Sequence, residues 1–313
     1  MAERIIIVCI KFGHARNAKA RPREGRRRMK SMMQPESAVS SGALVNSVVK
    51  AIGILECFSP GQRELSLSQI SRQLGLPKST ALNLIRTLES RGYLLYSHNA
   101  QTYQLGYNVM TLSYNLRTSM PIIQYALPFL EELQVKTGEN IYLTSHVDGQ
   151  VLYLEGVYPS IRIGNYSVAG KRLPMHCTGC GKAMLAYLPE DEYEAVIARW
   201  GLPGITPHTI TTRKDLDAEM RAIRARGYAT DSEEESLGVR CVAVPIRDSS
   251  GYPCGAVSIS GTNISMREDT QEEYAKMVAR VCSVMINNAH QLPAGLLRVE
   301  AQEAARAAES AEH

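Results

Sequence analysis

The sequence predicts an α+β protein in two parts, a winged helix-turn-helix followed by an antiparallel sheet with helices packed against it. Residues 66–91 read as a short helix, a tight turn and a second helix whose outer face is small and polar. A hairpin pattern follows at once over residues 93–105. From Glu139 onward the apolar period changes from that of helices to the alternation of strands.

The 313 residues are enough for two domains, and 44% hydrophobic content marks a chain that folds around a core. No apolar run reaches membrane length. The short run at residues 5–10 lacks the length and preceding basic segment of a signal peptide. A cytoplasmic protein without a membrane partner is expected. Seven cysteines, an odd count in a chain of this size, fit reduced thiols better than a disulfide framework. The net charge of +4 is unevenly spread. Residues 1–33 hold ten Lys or Arg against two Glu, a net of +8, so the remainder carries −4. This basic leader, 1–41, is expected to be disordered. It reads either as an arm adding nonspecific phosphate contacts or as an extension upstream of a true start at Met29, Met32 or Met33.

The first helix is expected over 44–57, because Val45, Val48, Val49, Ile52 and Leu55 follow helical spacing. Ser66 and Gln69 have the spacing of a capping box, which starts the second helix at Leu67. Gly75 suits its end, and Pro77 the first turn of the third. In that third helix Ala81, Leu84, Ile85 and Leu88 share one face, and Lys78, Ser79, Asn83 and Arg86 lie opposite. The wing is the run 93–97, a turn at His98-Asn99-Ala100 and the run 102–105. A pair of helices joined this way places its second helix in the major groove of DNA. Lys78, Ser79, Thr80, Asn83 and Arg86 are therefore the DNA-facing candidates. Their hydroxyls can bond phosphates or bases, and their cations neutralise phosphate. A solvated helix face is the alternative.

Residues 107–119 read as a connecting helix, and Pro121 opens another segment to Thr137, with Pro128 as a kink or restart. Strands over 141–146 and 151–156 flank the turn Asp148-Gly149. A third strand is expected over 162–168, then helices near 190–200 and 212–226. Strands at 228–231, 240–247 and 254–261 and a last helix over 267–290 complete the pattern. The resulting division is a leader 1–41, a winged domain 42–105, a linker helix 106–120, a second domain 121–292 and a flexible tail 293–313.

Three stretches carry a family resemblance. One is Leu76-Pro77-Lys78-Ser79-Thr80 with Leu88-Glu89-Ser90-Arg91-Gly92-Tyr93. The next is Leu173-Pro174-Met175-His176 with Gly181-Lys182-Ala183-Met184-Leu185-Ala186. The last runs from Gly227-Tyr228-Ala229-Thr230-Asp231 through Leu237-Gly238-Val239-Arg240-Cys241 to Ser258-Ile259-Ser260-Gly261. In this order and at these separations the chain resembles the IclR family of bacterial transcriptional regulators over about residues 44–290. The resemblance implies a sequence-specific regulator, repressor or activator, of a catabolic operon, with no cofactor and no enzymatic activity. It implies a C-terminal domain of GAF-like fold that senses a small metabolite, frequently an organic acid. It also implies a homodimer or a dimer of dimers. Family members often carry Arg where this chain has Asn83, and Asn favours adenine where Arg favours guanine.

The same resemblance implies that Gly179 and Cys180, with Asp231, Cys241, Ser258 and Ser260, bind the effector. Alternation along Ser258-Ile259-Ser260 points both hydroxyls to one face of a strand. Asp231 can orient a hydroxyl, or stay protonated and share its proton with an acid ligand. The set can also be read as polar residues that merely satisfy a core. Cys177 and Cys180 form a C-x-x-C pair, open to three readings: small residues in a tight ligand loop, a thiol or metal sensor, or a catalytic cysteine. No second C-x-x-C accompanies it, and neither a metal site nor a catalytic set is expected.

Overall fold

A computed structural model describes residues 44–160 and 168–288. The leader 1–41 and the tail 293–313 lie outside the described residues. Helices α1 (Asn46–Glu56), α2 (Leu67–Leu74) and α3 (Lys78–Ser90) are followed by the hairpin β1 (Leu94–Ser97) and β2 (Thr102–Leu105). The capping box forms at α2: Ser66 Oγ accepts the Gln69 amide at 3.4 Å, and Gln69 Oε1 accepts the Ser66 amide at 2.8 Å. Such a cap stabilises a helix start by about 1 kcal/mol. Gly75 ends α2 at φ 65°, a left-handed conformation that costs glycine nothing. The turn is locked where the Ser71 hydroxyl donates to the Leu76 carbonyl at 2.6 Å. Ile54, Leu65, Ile70, Ile85, Leu94 and Tyr103 make the core of this part. Reciprocal backbone bonds between Leu65 and Tyr103, at 2.9 and 2.7 Å, tie the wing to the chain before α2.

The apolar residues of α1 do not enter that core. Val45, Val48, Val49 and Ile52 are all about half exposed or more, and only Ile54 of the helix is buried. The same holds for α4 (Asn108–Thr118), where Met110, Leu112, Tyr114 and Leu116 are exposed and no residue is buried. Next comes α5 (Pro121–Thr137), one helix that passes through Pro128 without restarting.

Beyond α5 come β3 (Asn140–Val147), β4 (Gln150–Val157), β5 (Arg172–Pro174), α6 (Gly179–Leu185), α7 (Glu190–Trp200) and α8 (Arg213–Arg226). They are followed by β6 (Ala229–Ser232), β7 (Val239–Arg247), β8 (Pro253–Thr262) and α9 (Glu268–Asn288). Among the described residues the strands form an antiparallel sheet in the order β5-β4-β3-β8-β7-β6. The β3–β4 turn puts Asp148 at φ 55° and Gly149 at φ 73°, the two positive angles that suit an Asp-Gly hairpin.

The third strand expected over 162–168 falls almost wholly outside the described residues, and Val168 is in no strand. Among the described residues the strand that pairs with the outer edge of β4 is β5, three residues long and too short for an alternation signal. Periodicity assigns no element between 168 and 190, where α6 is found. Its seven residues are buried throughout, so no polar face betrays it.

The sheet separates two cores. On one face α5 and α9 bury Ile123, Leu130, Ile141, Leu143, Val257 and Ile259, among others. On the other, α6, α7 and α8 cover Val151, Ala229, Ala243 and Ala256. The second face carries the smaller side chains.

Candidate functional site

In α3, Ala81 and Ile85 are fully buried and fix the helix on its apolar side. Lys78, Ser79, Asn83 and Arg86 are exposed on the other side, and Thr80 is half buried. The five DNA-facing candidates therefore sit at the start and along the open face of one helix. The wing carries no Lys or Arg; His98 packs edge-on against Tyr96, ring centroids 4.9 Å apart.

The six effector candidates come from segments far apart in sequence and converge on the small-residue face of the sheet. Strand register aligns Asp231 with Cys241 and Cys241 with Ser260. α6 lies across them. The Gly179 backbone packs against the Cys241 sulfur, and Cys180 is buried, as are Ser258 and Thr144. Glycine is required here by distance: a Cβ on Gly179 would stand 2.7 Å from Cys241 Sγ, and one on Gly181 only 2.3 Å from the Met175 carbonyl.

Asp231 is 4% exposed. Its Oδ1 accepts the Glu234 amide at 2.7 Å, and the Cys241 thiol points at Oδ2 at 3.9 Å. Burial raises its pKa from 3.8 to about 7, with the Glu234 carboxylate pushing the same way against its own amide bond and Lys182. The acid is thus only partly ionised near neutrality.

Sequence reasoning gives Lys182 no place in the site. It is fully buried, ion-paired with Glu234 and 3.8 Å from Glu219. Glu234 is also the anchor of the loop between α7 and α8, since its carbonyl accepts the Thr209 hydroxyl at 2.7 Å. The His176 ring donates to the Pro203 carbonyl of the same loop at 3.0 Å, and burial lowers its pKa, so the ring stays neutral. No local pattern marks Glu234 as the partner of Lys182, 52 residues away.

Burial pushes the Cys177 thiol up to about 12 and raises Cys180 as well. A thiolate sensor needs the opposite shift. Among the described residues no group of three or more His, Cys, Asp or Glu is arranged to hold a metal ion. No described helix is long and apolar enough to cross a membrane.

Residues 115–286 match the description "Bacterial transcriptional regulator IclR C-terminal", and residues 47–97 match "IclR helix-turn-helix domain". The chain is 34% identical over 229 residues to the HTH-type transcriptional regulator XynR of Escherichia coli (strain K12), covering 73% of this chain and 90% of that one. It is 30% identical over 234 residues to the HTH-type transcriptional regulator KdgR of Dickeya chrysanthemi, covering 75% and 76%. The crystal structure of the Thermotoga maritima IclR superposes with a TM-score of 0.61 at 30% identity, over 77% of this chain and 98% of that one. The helix-turn-helix, the antiparallel α+β domain and these matches agree: the chain belongs to the IclR family of DNA-binding transcriptional regulators and is not an enzyme.

Proposed function

We propose that this regulator controls a catabolic operon, as repressor or activator, in response to a small organic acid. In this reading residues 42–105 read DNA, 106–120 link, and 121–292 sense the effector. Lys78, Ser79, Thr80, Asn83 and Arg86 contact the operator. Gly179, Cys180, Asp231, Cys241, Ser258 and Ser260 hold the acid. The observation that carries the second assignment is Asp231, a buried carboxyl that keeps its proton to about pH 7 beside the Ser260–Cys241 row. A protonated acid donates a hydrogen bond to a ligand carboxylate; an ionised one repels it. A path to the DNA-binding part exists: Arg117 of α4 pairs with Glu155 of β4, the strand that crosses beside β3. The effector moves the balance of DNA-competent and incompetent states only by its difference in affinity for the two.

Self-association is part of the proposal. Val45, Val48, Val49 and Ile52 follow i, i+3, i+4, i+7 spacing, and the stripe faces solvent. The exposed apolar residues of α4 offer another such face, and a second copy would cover these surfaces. Val49→Glu with Ile52→Glu should convert the dimer to a monomer in sedimentation velocity. An unchanged sedimentation coefficient would place the dimer contact elsewhere.

The DNA reading is tested by Asn83→Ala. Loss of a bidentate adenine contact should cost about 1–3 kcal/mol on the operator and far less on random DNA. Competition binding at fixed salt measures it. Equal weakening on both DNAs would make Asn83 a phosphate contact or a bystander.

A further inference from the structure

A cavity of about 240 Å³ opens where the end of α6 meets α7 and α8, and none of the six effector candidates lines it. Pockets for drug-sized ligands run from roughly 300 to 1,000 Å³, so this one suits a small metabolite. Its floor is apolar: Leu185, Leu188 and Met220 are all buried. Its walls are charged. Along α8, Arg213, Asp217, Met220, Arg221 and Arg224 follow i, i+4, i+7, i+8, i+11 spacing, one stripe of the helix. Arg213 is committed. Its two Nη atoms bond the Glu194 carboxylate at 2.7 and 2.5 Å, its Nε bonds Asp217 at 2.7 Å, and its guanidinium lies over the Tyr193 ring at 4.7 Å. Arg221 and Arg224 are different. Arg224 gives one of its five donors to the carbonyl of Ala186, the residue that caps α6, at 2.7 Å. Among the described residues Arg221 makes no hydrogen bond or ion pair, and it senses Asp217 only by its field. Both guanidinium side chains belong to exposed residues.

Like charges three residues apart on a helix repel, with their Cβ atoms roughly 5–6 Å from each other. An anion between them turns that repulsion into attraction. One carboxylate would leave a guanidinium unmatched. A dicarboxylate holds its two charges at opposite ends of a chain, whereas Arg221 and Arg224 stand side by side. A phosphate monoester puts about −1.5 to −2 of charge at pH 7 on one group with three acceptor oxygens. Guanidinium forks bond such oxygens in pairs. The remaining polar groups suit a hydroxylated body. Asp217 uses only Oδ1, which accepts both Arg213 and the Tyr193 hydroxyl, so Oδ2 is left to accept a ligand hydroxyl. Glu190 stands at the rim, its side chain 81% exposed, as a second such acceptor. Both carboxylates would repel a further anionic group on the same ligand.

We infer that this cavity is a second ligand site, for the phosphate monoester of a small hydroxylated metabolite, with the phosphate on Arg221 and Arg224 and the body over Leu185, Leu188 and Met220. It stands apart from the acid site proposed above and does not depend on it. The test is calorimetric titration of the full chain with ribose 5-phosphate. Inorganic phosphate serves as the bare dianion, ribonate as a carboxylate of similar body, and ribose as the uncharged body. Ribose 5-phosphate should bind at least about tenfold tighter than each of the other three, the effect of one charged hydrogen bond. Arg221→Gln should weaken it by about tenfold or more. Arg221→Lys keeps the charge and loses the fork, and should restore only part of the affinity. Arg221 is exposed and unbonded, so both variants should match the native chain in circular dichroism. If inorganic phosphate binds as tightly as ribose 5-phosphate, the site holds a bare anion and the metabolite assignment falls. If ribonate does so, the phosphate assignment falls. Binding that survives Arg221→Gln at full strength would put the phosphate on other cations, such as those of α3 or the basic leader, and overturn the site. So would a native chain that binds no ribose 5-phosphate at millimolar concentration.

Discussion

The two faces of the six-stranded sheet are built from the same strands by different rules. Along β7, Val242, Val244 and Ile246 face α5 and α9, while Cys241 and Ala243 face α6. Along β8, Val257 and Ile259 alternate with Ala256, Ser258 and Ser260. Along these two strands one face fills its space with branched side chains. The other carries alanines, serines and a cysteine beneath α6. In the proposed reading each strand divides its residues between holding the domain together and binding the effector, and adjacent positions have opposite jobs.

The sharpest break of that contrast is Ile259→Ala. Ile259 is fully buried between Ser258 and Ser260. Its truncation should cost about 2–5 kcal/mol in urea unfolding and leave effector affinity unchanged wherever the protein is folded. A change in effector affinity as large as that from Ser260→Ala would blur the two faces into one. Gly179→Ala probes the contact between α6 and the sheet. The new methyl meets Cys241, so α6 must lift; overpacking of this kind costs about 1–3 kcal/mol. Here effector affinity should fall together with stability, and titration of the variant against an acid ligand would reveal an affinity that had not moved.

The smallest expected effect sharpens the comparison by pH. Asp231 has a folded pKa of about 7 against an ordinary 3.8, so the fold prefers its protonated form. Its contribution to stability is complete below about pH 4 and is lost as pH rises through about 7. Effector affinity should likewise drop by up to tenfold for each pH unit above about 7, or about 1.4 kcal/mol. Asp231→Asn should flatten both profiles. An unchanged pH dependence in that variant would assign the titration to another group.

Much of this was legible because it is local. The capping box at Ser66 and Gln69 and the glycine stop at Gly75 are written within a few residues, and both form as the spacing predicts. Strand alternation at Ser258-Ile259-Ser260 likewise puts both serines on one face, opposite Ile259. What local pattern hides is long-range pairing. Tyr142 and Tyr153 are ordinary strand tyrosines until register puts them beside Ser258 and Thr144. Nothing local marks Lys182 as a buried cation, since its partner Glu234 is 52 residues away. The apolar stripe of α1 has helical spacing, and spacing alone does not say whether it faces inward or out; it faces out.

The position of β8 has a consequence for the order in which this chain can acquire its structure. It is the central link of the sheet, joined to β3 on one side and β7 on the other, yet it ends at Thr262. The helix-turn-helix closes on contacts among residues 46–105 and can fold as soon as it is synthesised. The hairpin of β3 and β4 must wait more than a hundred residues for its inner neighbour, with the backbone edge of β3 open in the meantime. A ribosome stalled before residue 253 would release a reader of DNA attached to a sheet with a bare edge. Aggregation of that product, while the front part remains folded, is the characteristic failure of this topology.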